Sequence, residues 1–486
     1  MAKALPSGPT SLATLPNELL DEVVSHLDRP SLLALALTCK QTKISSTEKL
    51  YRTYVNHEPP SKAPFHLFLR TICERPELAD KVREVDIRGW RSEYEVATGA
   101  AWRGLTVESK KDNIQKVRTG PYYLNVDKVV RVSNADRFKI FTEAAVKAGV
   151  IAKIESYAVP ALKSSVVWYT SMKEDKDFLR LLGRGVEDAQ VVLMLSLLPK
   201  LEALRVDGIS PYPVLDWHHF LSRSTTAPRA LRCLQVRGSI TKAAEPVVKT
   251  SLQVLDILPN LQDLQLFDIA IGGHQFTVNI LPSKKLSSVV LSVSAVSLRL
   301  LRKLLDGQQL THFTYLPGCR QVHTTKLAAF SAEDILTRLA SSKTTLKQLA
   351  FFPIGSPNEP SSLKTFSHLT DLETPQPGLL NVSPAEADEE VLASALCAEI
   401  PSTVVTLSLR YVIYDAQAKG ILKQLARLKT QGEFPDLRLV RLSFLRSMPF
   451  YAFGWPPLPD PEHQVRHDLG KIYREAGLDV LVFQAD

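Results

Sequence analysis

The sequence predicts an α/β protein in two parts. A small three-helix module comes first, and an irregular solenoid of short parallel strands with helical returns follows. Three observations predict this. Leucine is in excess, at 71 of 486 residues, while Phe counts 18 and Trp 5. Leucine-rich chains poor in aromatics build helices, coiled coils or repeats. Apolar residues in the first 57 positions recur at helical spacing. From position 82 onward the pattern apolar-x-x-apolar-x-apolar returns eleven times, one copy degraded.

The elements follow in order. Residues 1–13 are polar, rich in Pro and Ser, and read as a disordered lead-in. The module spans 14–57. Its first helix carries Leu15, Leu19, Val23 and Leu27 four apart, with Leu20 and Val24 beside them. Pro16 suits the first helical position, and Glu18, Asp21 and Glu22 suit the positive end of the helix dipole. Asp28-Arg29-Pro30 breaks it. A second helix begins near Ser31, with Leu32, Leu33, Ala36 and Leu37 on one side, and a third is expected near Glu48 to Val55. Residues 58–80 read as a Pro-rich linker and a connecting helix. Three helices in so few residues bury little surface, so the module needs a partner or a neighbouring domain.

The strand pattern runs from Val82-Val85-Ile87, through Leu201-Leu204-Val206, to Leu478-Leu481-Phe483, with the degraded copy at Leu369-Leu372-Thr374. From position 201 the starts lie 23 to 41 residues apart. The template is that of a leucine-rich repeat: alternating apolar residues face inward, and the connecting segment returns over the core, usually as a helix. Helical returns are expected at 185–198, 294–305, 331–339, 385–400 and 415–428. No asparagine ladder follows most strands. Residues 81–184 form an irregular start of this domain, with a helix over 134–149 and a strand at Val166–Tyr169, and 185–486 form the solenoid proper.

Composition narrows the function. No apolar run approaches the roughly 18 residues a membrane span needs, and Met1 to Pro9 hold one Lys and no apolar stretch, so neither membrane nor secretion is expected. Cys39, Cys73, Cys233, Cys319 and Cys397 form no CxxC pair and read as reduced thiols of a cytoplasmic or nuclear protein. The formal charge of +8 is spread without a block of five or more like charges, and nucleic acid is not expected.

No catalytic, metal or cofactor site emerges. Gly183-Arg184-Gly185 meets Asp188 where a dinucleotide loop needs its third glycine. Asp216-Trp217-His218-His219 places its histidines on different faces of any helix. His463 and His467 share a face but lack a third ligand. Strand residues pointing away from the core include Asp86, Arg205, Gln235, Gln265, Ser408 and Arg441, with Arg88, Arg237 and Arg410 two places further on. Of these, Arg205, Arg237, Gln265, Arg410 and Arg441 are the candidates for a substrate face. Either the face prefers acidic or phosphorylated partners, which arginine forks bind well, or it is simply solvated.

The run from Leu15-Pro16-Asn17-Glu18-Leu19-Leu20 to Leu27, then Pro30-Ser31-Leu32-Leu33 to Cys39-Lys40, closely resembles an F-box. It departs from the family after Lys40, where many F-boxes continue with an aromatic segment and this chain has Gln41-Thr42-Lys43-Ile44-Ser45-Ser46. The later region looks like the leucine-rich-repeat half of F-box proteins common in filamentous fungi, as in Leu193-Met194-Leu195-Ser196-Leu197-Leu198-Pro199-Lys200-Leu201. The resemblance implies a non-catalytic substrate receptor of an SCF-type (Skp-cullin-F-box) ubiquitin ligase. Leu15, Pro16, Leu19, Leu20, Val23, Leu27, Leu32 and Leu33 would contribute to the contact with the Skp adaptor. Through that adaptor the chain would join a cullin-RING ligase, and the repeats would hold an unknown protein substrate. The alternative is an F-box scaffold acting in protein–protein interaction outside a ligase. Such a receptor works by raising effective concentration and needs no cofactor.

Overall fold

The structure, a computed structural model, describes residues 12, 15–56, 65–88, 135–152, 155–158, 166–169, 173–209, 217–226, 228–238, 255, 258–267, 270–271, 285–296, 298–316, 332–351, 363–375, 389–412, 416–445 and 461–485. The chain forms two compact units, 1–244 with 250–260, and 245–249 with 261–486. The boundary between them falls inside the stretch the sequence assigns to one solenoid.

Unit 1 begins with helices α1 (Asn17–Ser25), α2 (Arg29–Ala36) and α3 (Lys40–Arg52). The third helix starts well before the expected Glu48, because Cys39 adopts an extended N-cap conformation and exchanges capping contacts with Thr42. It also ends earlier. Thr53–Val55 form strand β1, which pairs in parallel with β2 (Glu84–Arg88) in the register Thr53↔Glu84, Tyr54↔Val85, Val55↔Asp86. Further parallel strands β5 (Ala203–Ile209) and β6 (Cys233–Gly238) complete the order β1-β2-β5-β6 in this unit. Strands β3 (Glu155–Ala158) and β4 (Val166–Tyr169) form a separate antiparallel pair.

Helices α4 (Phe65–Glu74), α5 (Pro76–Ala79), α6 (Ala135–Lys147), α7 (Lys173–Arg184), α8 (Glu187–Leu197) and α9 (Trp217–Arg223) make up the rest of unit 1. Helix α8 is buried on every side from Asp188 to Ser196, its polar Asp188, Gln190 and Ser196 included. Its buried Asp188 accepts from the Trp217 Nε1–H at 3.3 Å. Asp175, fully buried on α7, accepts from Arg223 at 2.8 Å and from the Ala152 amide at 3.0 Å, so its charge is paired where it could not be left alone.

Unit 2 holds eight parallel strands. In order they are β7 (Asp263–Phe267), β9 (Ser288–Ser292), β11 (His312–Leu316), β12 (Gln348–Phe351), β13 (Asp371–Pro375), β14 (Thr406–Val412), β15 (Leu439–Leu445) and β16 (Asp479–Ala485). A small parallel pair, β8 (Ala270–Ile271) with β10 (Ala295–Val296), stands apart. The returns are helical: α10 (Leu298–Leu305), α11 (Ala332–Arg338), α12 (Glu389–Glu399), α13 (Ala416–Thr430) and α14 (Pro461–Glu475).

The apolar triplets account for the core. In ten of the eleven copies every member is buried, the degraded Leu369-Leu372-Thr374 included. The exception is the last. Leu478 is buried, but Leu481 and Phe483 are 45% and 50% exposed. Elsewhere the anchor residue precedes the first inward strand residue by three, as Leu437 precedes Val440. Here Gly477, at φ 67°, ends α14, and the Leu478 amide donates back to the Tyr473 carbonyl at 2.8 Å. The strand starts one residue sooner after its anchor, so Val480 and Val482 take the register of Val440 and Leu442, and Leu481 and Phe483 turn outward.

Hydroxyl side chains take the part of the missing asparagines. Thr311 Oγ1 donates to the Ser287 carbonyl at 3.0 Å, Thr345 to Leu310 at 2.8 Å, Thr370 to Lys347 at 3.1 Å and Thr403 to Leu369 at 2.8 Å. Each bond joins one repeat to its predecessor just outside the strand, and the Ser287 and Lys347 carbonyls accept backbone amides there as well.

Candidate functional site

Two surfaces carry the residues that the sequence singles out. The first is the helical module. Helix α1 follows Pro16, and α2 is capped by Asp28, whose carboxylate accepts from the Ser31 amide at 3.0 Å. Hydrogen bonding from the Ser31 side chain, and then from its amide, holds the Asp28 carboxyl below the usual carboxylate range. Between α2 and α3 the buried Thr42 hydroxyl lies 3.0 and 3.1 Å from the Leu35 and Cys39 carbonyls, either of which can accept its one proton. Gln41 Nε2 donates to the Leu15 carbonyl at 2.9 Å and ties α3 to the approach of α1.

The module's own core is thin: Leu20, Val24 and Leu32, with the small side chains of Thr42, Ser45 and Ser46. Of the residues expected at an adaptor contact, Leu20 and Leu32 belong to this core, Leu15 and Leu27 are half-buried, and Pro16, Leu19, Val23 and Leu33 are exposed. Leu37 and Ile44, absent from the expected set, are exposed more than Leu19, Val23 or Leu33, at 81% and 70%. Ile44 carried a signal. It is the sole aliphatic residue between Lys40 and Lys49, in a helix whose remaining side chains there are polar. Single exposed leucines are ordinary, whereas five large apolar side chains exposed on three consecutive short helices mark an interaction surface.

The module is joined to the sheet of unit 1. Besides the β1–β2 pairing, the Arg83 amide donates to the Arg52 carbonyl at 2.8 Å, and Lys81 pairs with Glu48. Tyr54, at the centre of β1, packs on Phe65 and Phe68 of α4. Burial there pushes the Tyr54 hydroxyl above the ordinary phenol range.

The second surface is the outward side of the sheets, taken unit by unit. In unit 1, Arg205 is directly opposite Gln235, with Arg237 two residues on, and both arginines are exposed on the same face. In unit 2, Gln265 donates to Asp263 at 2.8 Å, Arg410 forms an ion pair with Glu373, and Arg441 is exposed. The outward rows of this unit also bring Asp263, Asp371, Glu373 and Asp479 to the same side. Arg410 there is matched by a carboxylate, whereas in unit 1 Arg205 and Arg237 are both exposed on neighbouring strands.

Other sequence features resolve quietly. Gly183-Arg184-Gly185 is the end of α7, with Gly185 at φ 76°. His219 faces Arg223 at 3.2 Å. The side chains of His218 and His463 lie outside the described residues. Among the described residues no three His, Cys, Asp or Glu side chains are grouped to hold a metal ion, and no helix is long and apolar enough to cross a membrane.

No curated protein matches the chain, and the expected likeness of its repeat half to fungal F-box proteins finds no support. Residues 12–52 match the F-box domain family, and the match ends at Arg52, the last residue of α3. The chain therefore carries an F-box domain, a protein–protein interaction module, whose three helices are those that expose Leu19, Val23, Leu33, Leu37 and Ile44.

Proposed function

We propose that the protein is a substrate receptor of an SCF-type ubiquitin ligase. The exposed apolar face of the F-box helices is the observation that carries the reading. Leu19, Val23 and Leu33 are its exposed members from the expected set, and Leu37 and Ile44 are exposed on the same module. Pro16, Leu15 and Leu27 flank it, and Leu20 and Leu32 set its shape from beneath. This face docks on the Skp adaptor and through it on a cullin-RING ligase. The strand-and-helix units hold a protein substrate, and ubiquitin transfer belongs to the other subunits. The role is exercised in the cytoplasm or nucleus.

The continuous passage from α3 into β1 supports the receptor role. Tethering is effective when the linker fixes the span between the two bound partners. Here the F-box meets unit 1 through strand pairing and aromatic packing.

The test is affinity purification of the full chain with its adaptor. Leu19→Asp with Leu33→Asp removes adaptor and cullin together, while the protein stays folded. Adaptor without cullin in the wild-type sample would indicate a scaffold outside a ligase. Adaptor retention by the double variant would overturn the proposed face.

A further inference from the structure

The outward side of unit 2 departs from the arginine-bearing face that the sequence suggests. On the adjacent strands β7, β9, β11, β12 and β13, the outward positions hold no lysine or arginine. Their charged residues are Asp263, Asp371 and Glu373, and the first outward arginines are Arg410 on β14 and Arg441 on β15. Arg410 answers Glu373, and the remaining carboxylates are Asp263 and Asp371.

The pairing register sets these residues in rows. One row crosses the strands as Asp263, Ser288, His312, Gln348 and Asp371, with a carboxylate at each end. The next row holds Val290 and Ala350, and beyond it lie Phe267 and Leu316. All of these side chains are half-buried, whereas the inward residues that alternate with them are buried. An outward face made only for water would carry polar residues at these positions. Burial holds His312 below the ordinary imidazole range, although Asp263 and Asp371 both pull it up. The ring between the two carboxylates is therefore uncharged at neutral pH and does not offset them.

The rows fix the spacing a ligand must have. Adjacent strands lie about 4.8 Å apart, so Asp263 and Asp371, four spacings from each other, are separated by about 19 Å. An extended chain advances about 3.3 Å per residue, so two side chains on one face span that distance when they are about six residues apart. Side chains two and four residues along point the same way and come over β9 and β12, the strands of Val290 and Ala350.

We propose that this face holds an extended segment of the protein substrate, of the form basic-x-apolar-x-apolar-x-basic. Its basic side chains pair with Asp263 and Asp371, and its apolar side chains pack on Val290 and Ala350, with Phe267 and Leu316 beside them. A carboxylate has about four acceptor sites, so neither the Gln265 bond to Asp263 nor the Thr370 bond to Asp371 fills it. Opposite charge supplies selectivity, and apolar burial supplies affinity. That the segment belongs to a substrate rests on the receptor reading above, while the face itself lies outside the F-box.

The test uses the full chain and fluorescein-labelled peptides, read by fluorescence anisotropy. Gly-Lys-Ser-Leu-Ser-Leu-Ser-Lys-Gly should bind saturably. Gly-Ser-Ser-Lys-Leu-Leu-Lys-Ser-Gly, of the same composition with its lysines three apart, should bind about tenfold more weakly. Asp371→Lys weakens the first peptide about tenfold, and Gly-Glu-Ser-Leu-Ser-Leu-Ser-Lys-Gly restores binding to that variant, which also shows it to be folded. Equal binding of the two lysine peptides, no saturable binding, or an Asp371→Lys variant that binds like wild type overturns the proposal. So does a wild-type dimer in sedimentation velocity that Asp371→Lys dissociates. Adaptor capture is read in parallel by affinity purification. Capture without peptide binding overturns this face and leaves the receptor reading standing, whereas peptide binding without capture supports the face and overturns the receptor reading.

Discussion

Tyr54 lies face to face with Phe68, their ring centroids 3.9 Å apart and their planes 10° from parallel. The pair is where the F-box becomes part of unit 1. Tyr54 belongs to the short strand that extends the sheet, and Phe68 to the first helix after the F-box.

Truncating this contact should cost what large aromatic deletions in cores usually cost. Tyr54→Ala is expected to destabilise unit 1 by about 3–5 kcal/mol, measured by denaturant unfolding. Hydrogen exchange should quicken first at Thr53–Val55 and Glu84–Arg88, the paired strands that Tyr54 covers. Equal protection of those strands in wild type and variant would contradict the role given to the pair.

The buried Asp175–Arg223 pair makes a sharper demand. Asp175 is fully enclosed, so removal of its partner leaves an uncompensated charge. Arg223→Ala should cost about 3–5 kcal/mol, and replacing both residues with apolar side chains should recover much of that loss. A single-variant cost near zero in thermal unfolding would show the pair to be dispensable.

The cysteines separate by environment. A hydrogen bond with the Thr42 hydroxyl holds the Cys39 thiol below its ordinary range, whereas burial pushes Cys73 from 9.0 up to about 12. Native protein at pH 8 should therefore be alkylated at Cys39 well before Cys73, as read by mass spectrometry of timed iodoacetamide reactions. The sign for stability follows. The folded state holds the Cys73 proton more tightly than the unfolded chain does. The contribution is complete below pH 9.0 and is lost as pH rises toward about 12. Cys73→Ala should remove that alkaline loss from the pH dependence of unfolding.

The hydroxyl ladder predicts small losses. Thr345→Val and Thr403→Val each remove a bond to the preceding repeat and should cost about 1 kcal/mol, with nearly additive effects since the two sites share no bond. Chemical denaturation of the single and double variants measures this directly.

Much of the fold was legible because strands of period two leave a plain mark. Ten apolar triplets gave buried rows, and the returns at 185–198 and 415–428 became Glu187–Leu197 and Ala416–Thr430. What failed was local. The last triplet reads like the others, yet its strand starts one residue sooner after Leu478 and reverses its faces. The third helix begins at Lys40 because of a capping exchange between Cys39 and Thr42 that no hydrophobic period records. Division of the F-box leucines was hidden for another reason. Leu19 and Val23 form one stripe of α1, Leu20 and Val24 the next, and both have helical spacing. Only packing against α3 turns the second inward.

That division gives the most direct test of the central claim, that the F-box works through its exposed apolar face. The full chain, its Leu19→Asp/Leu33→Asp variant and a Leu20→Asp/Leu32→Asp variant are each purified with the Skp adaptor, and adaptor capture is compared with thermal unfolding. The first pair should lose the adaptor while its unfolding curve shifts little, and the second should lose both. Full capture of the adaptor by a folded Leu19→Asp/Leu33→Asp protein would contradict it.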